Sequence, residues 1–141
     1  MKNFIAIIAG EPNSVNSEII VKAWKKNKTK KNIFIIGNYL ILKKQILKLG
    51  IEIPLIKISR LENFKNERKL YILDVPLKFK SIFNVNSSDV KAYVFNCLNI
   101  AHDLAIKKKI HGFINAPIDK RIFNNKHLGV TEYLSEKNKI K

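Results

Sequence analysis

The chain has 141 residues, which is the length of one ordinary domain and argues against two complete ones. Apolar residues make up 46% of the sequence, so wholesale disorder is excluded, and no apolar run approaches the roughly 18 residues that a membrane-spanning helix needs. The single cysteine, Cys97, excludes an internal disulfide framework and a zinc site built from several cysteines. These properties predict one folded unit, residues 1–141, in the cytoplasm.

The sequence is strongly basic. It carries 27 basic and 11 acidic residues, a formal net charge of +16. Such an excess is compatible with a nucleic-acid-binding protein, because each neutralised phosphate releases a counterion. The lysines are spread over the whole chain, however, and only three residues are arginine, the side chain preferred for phosphate forks and guanine edges. A solvated basic surface is therefore favoured, and we expect no specific nucleic-acid partner and no membrane partner.

Short apolar runs of β type alternate with helical patterns along the chain, which is typical of an α/β fold. The first run stops before Glu11 and Pro12, and it fits a buried strand better than a signal peptide. The runs predicted as strands are residues 4–9, 32–37, 51–58, 70–75 and 111–114. The segments predicted as irregular are residues 59–69 and 78–87.

Apolar residues recur at helical spacing between these strands. The predicted helices cover residues 15–24, 39–49, 89–108 and 117–123, with a last helix from Thr131. The predicted buried stripe of the first helix is Val15, Ile19, Ile20, Ala23 and Trp24. The residues expected to cap, begin or end helices are Asn13 or Ser14, Asn38, Gly50 and Pro117.

Two loops follow predicted strands and precede predicted helices. This is where open α/β sheets bind ligands, because helix N-termini present free N–H groups there. The first loop contains Gly10, Glu11 and Pro12, and the second runs from Asn115 to Lys120. Neither loop carries a Gly-x-Gly-x-x-Gly or Walker A pattern, so the sequence lacks the standard nucleotide-binding motifs. We expect the two loops to form one ligand cleft.

Three motifs in these loops and near the end of the chain occur in a recognisable order. They are Gly10-Glu11-Pro12, Asn115-Ala116-Pro117-Ile118-Asp119-Lys120 and Gly129-Val130-Thr131-Glu132-Tyr133-Leu134. In order and spacing they resemble the 4-hydroxythreonine-4-phosphate dehydrogenase family of pyridoxal phosphate (vitamin B6) biosynthesis, over essentially all 141 residues. The resemblance implies a layered α/β/α sheet of the isocitrate and isopropylmalate dehydrogenase type, incomplete at its C-terminus, because the chain looks like the N-terminal part of the family.

The resemblance also implies a chemistry. Members of the family are homodimers that use NAD and a divalent metal (zinc, magnesium or cobalt). They oxidise the C3 hydroxyl of 4-phosphooxy-L-threonine, and the resulting β-keto acid loses carbon dioxide because the metal polarises its carbonyl. The three metal-binding histidines of the family lie beyond Lys141, so we expect no metal site in this chain and no dehydrogenase activity from the chain alone.

Candidate site residues follow from the loops and from the resemblance. The expected substrate-binding residues are Thr131, Lys120, Asn115 and Val130, the last at the position of a family histidine. The expected cleft-loop residues are Gly10, Glu11 and Pro12. Residues 13–17, Asn-Ser-Val-Asn-Ser, replace the family's Ala-Gly-Ile-Gly-Pro, so both glycines are lost, which puts any positive φ there in question. These departures leave open a paralogue that acts on another phosphorylated or hydroxylated acid.

Each candidate also has a purely structural interpretation. Thr131 and Asn115 are suited to capping the helices that follow them, and on the residues alone a cap is favoured for Thr131. Lys120 is one lysine among many, and Glu11 suits a turn. The resemblance to the family instead favours a substrate-binding role for Thr131 over a cap.

The remaining chemically active side chains are predicted to be structural. The three histidines fit no short metal motif: His102 is expected to be solvated, His111 to open a strand and His127 to lie in a loop. Three other side chains fall on apolar stripes and are expected in the core: Cys97, Trp24 and Tyr93.

Overall fold

The computed structural model describes residues 3–27, 32–65, 68–124, 126 and 129–139. The strands are β1 (Ile5–Ile8), β2 (Ile33–Gly37), β3 (Leu55–Ile58), β4 (Leu70–Asp74) and β5 (Gly112–Asn115). The α-helices are α1 (Asn16–Lys26), α2 (Tyr39–Lys48), α3 (Ser87–Ile106) and α4 (Val130–Lys137). Two short 3-10 turns lie at Leu61–Asn63 and Lys120–Phe123.

The five strands form one parallel sheet in the order β3-β4-β2-β1-β5. Strands β2 and β4 are interior and read as nearly continuous apolar runs, because an interior parallel strand is covered on both faces. Phe34, Ile35 and Ile36 of β2 are fully buried. The sequence prediction of buried strands in an α/β sheet is confirmed.

Helices cover both faces of this sheet. Parallel crossovers are right-handed, so α1 and α2, which carry the chain toward β3, lie on one face, where they pack against each other. The crossover from β4 back to β5 runs in the opposite direction and places α3 on the other face, in contact with β1, β2 and β5. The layered α/β/α fold expected from the resemblance is confirmed. None of the helices formed by the described residues is long and apolar enough to cross a membrane.

Local rules explain both ends of α2. The Asn38 side chain accepts a hydrogen bond from the Ile41 N–H at 3.0 Å, so the predicted cap is confirmed. At the other end Gly50 has a φ of 67°, and the N–H groups of Gly50 and Ile51 donate to Leu47 and Ile46. This is the Schellman arrangement, in which a left-handed residue lets the chain turn back on the last carbonyls.

The first helix departs from its prediction. Its N-cap position is Val15, with no side-chain cap, although the Ser14 hydroxyl accepts a 3.2 Å hydrogen bond from the Asn16 N–H. Val15 and Ile19, predicted in the buried stripe, are 62% and 50% exposed, whereas Asn16 and Ser17 are buried. The helix is rotated from its apolar pattern because Asn16 bonds a distant loop, as described below.

Three other predicted elements have different bounds. β3 begins only at Leu55, since Pro54 has no N–H to donate to a neighbouring strand. The helix predicted from Pro117 to Phe123 is wrong, because only Lys120–Phe123 form a 3-10 turn, which follows an extended Asp119. The last helix begins at Val130 after an N-cap at Gly129, one residue earlier than predicted.

Candidate functional site

β1 and β5 lie where the strand order reverses: from β1 the chain adds β2 on one side, and it later returns to add β5 on the other side. β1 pairs with β2 on one side and with β5 on the other, and the connections from β1 and into β5 lie on opposite faces. The loops that follow the two strands meet at this carboxyl edge of the sheet, the usual ligand position in such sheets, and a crevice opens beside them. These are the two loops singled out in the sequence.

Gly10 brings the two loops into direct contact. Its φ is 72°, and a Cβ built on it would lie 2.6 Å from Asn16 Nδ2, 3.0 Å from the Pro117 carbonyl oxygen and 3.1 Å from that of Ala116. Asn16 Nδ2 donates a 2.7 Å hydrogen bond to the same Pro117 carbonyl, across 101 residues of sequence. No side chain fits at position 10, so glycine is required both by conformation and by the close approach of backbone.

A second contact joins the loops through charged residues. Glu11 Oε2 accepts a 3.2 Å hydrogen bond from the Asp119 N–H. Asp119 in turn accepts the Arg121 N–H at 2.9 Å and pairs with the Arg121 guanidinium, whose Nε lies 2.8 Å from Oδ2. Hydrogen bonds from Arg121 lower the pKa of Asp119, and the same pair raises the pKa of Arg121. This ion pair fixes the start of the 3-10 turn. The Arg121 side chain is exposed to solvent, and that of Asp119 is partly exposed.

The first loop is also tied to the segment that precedes α3. The Asn13 side chain donates to the Val85 carbonyl at 2.8 Å and accepts from the Val85 N–H at 2.7 Å. Buried Gln45 of α2 donates from Nε2 to the carbonyls of Pro12, at 2.7 Å, and Ile82, at 2.5 Å. Neither Asn13 nor Ser14 has a positive φ, so the loop closes here without the glycine of the family pattern.

A cavity of about 460 Å³ opens beside this junction. Its polar lining includes Glu11, Asn13, Ser87, Ser88, Asp119 and Arg121. The lining thus comes from both loops and from the first turn of α3, whose N–H groups carry a partial positive charge. A cavity with hydroxyl, amide and charged groups at the carboxyl edge of the sheet is suited to a small polar ligand.

The structure brings some of the predicted site residues together and separates others. Gly10, Glu11 and Pro12 lie at the junction of the loops. Asn115 is the exposed last residue of β5, and Lys120 is exposed at the start of the 3-10 turn. Neither Asn115 nor Thr131 caps a helix, because Asp119 and Gly129 occupy the cap positions. The cap interpretations of both are therefore wrong.

Val130 and Thr131 lie in the first turn of α4, and neither lines the cavity beside the junction. Thr131 is exposed and Val130 is half-buried against the core. Tyr133, two residues on, packs its ring against Phe95 of α3, with ring centroids 5.0 Å apart, and against Phe123 at 6.0 Å. Phe123 ends the 3-10 turn, so this aromatic contact is what connects α4 to the second loop.

Sequence reasoning missed the residues that hold the loops together. Asn16 and Gln45 are 2% exposed, and neither was predicted to act. The available signal was a polar residue on an apolar stripe: Gln45 precedes Ile46 on the buried side of α2, and Asn16 lies one turn before Ile20. A polar side chain at such a position must find a partner in the fold.

One of the three histidines, His102, has a different environment from the one predicted. The His102 side chain is only 12% exposed, and its Nε2 lies 2.7 Å from Asn138 Oδ1, so the prediction of a solvated residue is wrong. His111 is exposed just before β5, and His127 lies outside the described residues. Among the described residues, no three His, Cys, Asp or Glu side chains stand together as a metal site.

Cys97, Trp24 and Tyr93 are buried, as predicted. Burial raises the pKa of the Cys97 thiol to about 12, so at pH 8 the thiolate is a fraction of roughly one ten-thousandth. We expect no alkylation of Cys97 by iodoacetamide in the folded protein at pH 8 and complete alkylation in concentrated urea, measured by intact mass. Alkylation in native buffer at the rate of a free thiol would contradict this burial.

Comparisons with known proteins identify a family for this chain. Residues 29–141 match the family described as "Pyridoxal phosphate biosynthetic protein PdxA". The chain is 30% identical over 139 residues to a 4-hydroxythreonine-4-phosphate dehydrogenase of Aquifex aeolicus (strain VF5), which covers 96% of this chain and 43% of the relative.

Solved structures give the same fold. A 4-hydroxythreonine-4-phosphate dehydrogenase from Burkholderia phymatum superposes with a TM-score of 0.86 at 21% identity, over all of this chain and 45% of that one. The corresponding enzyme from Klebsiella pneumoniae superposes with a TM-score of 0.81 at 21% identity, over 96% of this chain and 44% of that one. A terephthalate 1,2-cis-dihydrodiol dehydrogenase from Burkholderia xenovorans LB400 superposes with a TM-score of 0.68 at 15% identity, over 96% of this chain and 40% of that one.

The chain spans less than half the length of the relatives it matches. The family match nevertheless covers most of the 141 residues, and the three motifs lie on the crevice loops and on the first turns of α4. The chain belongs to the pyridoxal phosphate biosynthetic protein PdxA family.

Proposed function

We propose that this chain forms the substrate-placing part of a 4-hydroxythreonine-4-phosphate dehydrogenase that serves pyridoxal phosphate synthesis in the cytoplasm. The reaction would be the NAD-dependent oxidation of the C3 hydroxyl of 4-phosphooxy-L-threonine, followed by decarboxylation. The observation that supports this proposal best is the interlocked crevice, where Gly10 and Asn16 meet the Pro117 carbonyl. Family membership supplies the substrate class.

The role we assign to the described residues is binding and orientation. The NAD and the divalent metal of the family would supply hydride acceptance and carbonyl polarisation, but the described residues contain no three-ligand cluster that fits such a metal. We therefore place no chemical step on them. The complete enzyme would be a homodimer, and the chain alone would lack dehydrogenase activity.

Lys120 is the residue we assign to the substrate phosphate. It is exposed beside the crevice, and it has no ion pair among the described residues, whereas the neighbouring Arg121 is already paired with Asp119. An unpaired lysine can meet a phosphate as a point charge without breaking an existing contact. Thr131 would hydrogen-bond the substrate through its exposed hydroxyl, and Asn115 would line the same space.

The test is calorimetric titration of the 141-residue chain with the proposed substrate, 4-phosphooxy-L-threonine (4-hydroxythreonine-4-phosphate). We expect measurable binding, and we expect Lys120→Ala and Thr131→Ala each to weaken it about tenfold, the loss of one good hydrogen bond or charge contact. Lys26→Ala, which removes an equally exposed lysine from the far end of α1, is the matched control and should bind like the parent chain. We expect no NADH formation from the chain alone.

Three results would redirect the assignment. Binding that is unchanged in both variants would remove Lys120 and Thr131 from the site. Preference for a different phosphorylated or hydroxylated acid would favour a paralogue, which the replacement of the family histidine by Val130 makes the leading second candidate. Retention of nonspecific DNA that falls steeply between two salt concentrations would instead favour the basic nucleic-acid-binding alternative.

A further inference from the structure

Helix α4 carries the proposed substrate contact, but it is weakly embedded in the fold. None of its residues is fully buried, in contrast to α3, which buries six. Its position therefore depends on a few side-chain contacts with α3. The apolar part consists of Val130, half-buried against the core, and of the Tyr133 ring against Phe95 of α3 and Phe123 of the 3-10 turn. Apolar burial is non-directional, so these contacts hold α4 against the fold but fix its rotation and sliding less well than hydrogen bonds do.

Two of the polar contacts converge on one atom, while a third joins His102 of α3 to Asn138 at the C-cap of α4. Asn99 Oδ1 of α3 accepts the Tyr133 hydroxyl at 2.7 Å and the Lys137 ammonium at 2.7 Å. Tyr133 and Lys137 are one turn apart on α4, so the two hydrogen bonds anchor the helix at two successive turns and not at a single residue. Two such anchors restrict rotation and sliding, the motions that the apolar contacts fix less well.

We infer that Asn99 is a positioning residue for substrate binding: by holding Tyr133 and Lys137 it sets the orientation of the first turn of α4, and hence of the Thr131 hydroxyl. No motif of the sequence includes Asn99. This inference rests on the proposed function, because it gives Asn99 a role only through Thr131. Its effect on binding is separate from any effect on global stability, since α4 lies on the outside of α3.

The experiment compares four variants of the 141-residue chain by hydrogen–deuterium exchange and by calorimetric titration with 4-hydroxythreonine-4-phosphate. Asn99→Ala should speed amide exchange at residues 130–137, leave exchange in the sheet unchanged and weaken binding about tenfold. Asn99→Asp keeps an acceptor oxygen at the same place and should restore both properties. Tyr133→Phe keeps the ring and removes one hydrogen-bond donor. It should therefore speed exchange at residues 130–137 and weaken binding, each by a smaller factor than Asn99→Ala does.

Asn96→Ala is the matched control, because Asn96 is an exposed asparagine one turn earlier on the same helix. It should match the parent chain in exchange and in affinity. If Asn99→Ala binds as tightly as the parent chain, or if Asn99→Asp restores neither property, the positioning role is overturned while the proposed function stands. If the parent chain itself does not bind the compound, the proposed function fails and the role of Asn99 fails with it.

Discussion

Replacing Gly10 with alanine is expected to lower the free energy of unfolding by about 3 kcal/mol. An L-residue at a φ of 72° costs about 1–2 kcal/mol by itself, and the new Cβ would meet Asn16 and two backbone carbonyls at 2.6 to 3.1 Å. Those carbonyls belong to β5's loop and cannot rotate away as a flexible side chain can. Urea unfolding followed by circular dichroism measures the change.

Gly50→Ala is the matched control for this prediction. Gly50 has nearly the same φ, 67°, but a Cβ built there has nothing within 4 Å. It should therefore cost only the conformational part, about 1 kcal/mol. If the two variants are equally destabilised, the contact between the crevice loops does not contribute, and the close packing described for Gly10 is wrong.

The second large effect is expected for Gln45→Met. Methionine is similar in shape to glutamine, so packing is retained, but the carbonyls of Pro12 and Ile82 both lose their buried donor. Each unsatisfied buried carbonyl costs about 1–3 kcal/mol, and we expect a total loss of about 3 kcal/mol. Thermal and urea unfolding give the measurement.

Lys48→Met introduces the same side chain at an exposed position of the same helix and serves as the control. It should change stability by less than about 0.5 kcal/mol. A Gln45→Met protein as stable as the Lys48→Met protein would mean that the two carbonyls find other partners. Gln45 would then not be what joins α2 to the first loop.

The sequence is sufficient for most of the fold because its local signals agree with one another. The strand at Ile33–Gly37, the Asn38 cap and the Gly50 stop were all predicted, since each depends on residues within a few positions of one another. The α/β class followed from the alternation of short apolar runs with helical ones. The order of the strands in the sheet is not encoded locally, and no pattern in the sequence predicted it.

The site was predictable only in outline. The loops at Gly10 and Pro117 were recognised, but the bond between Asn16 and Pro117 joins residues that no local rule relates. That bond also rotates α1, which is why Val15 and Ile19 were wrongly assigned to the core. Tertiary partners of buried polar groups override the apolar periodicity of a short helix here.

The same bond determines when this part of the molecule can form. Asn16 and Pro117 are separated by 101 residues, and closing so long a loop brings an entropy cost before any contact compensates for it. During synthesis, β1, β2 and α1 leave the ribosome with one side of β1 still lacking its neighbour. Until β5 and its loop have emerged, Gly10 faces no opposing backbone, so the contact between the two crevice loops forms only after Pro117 has been synthesised.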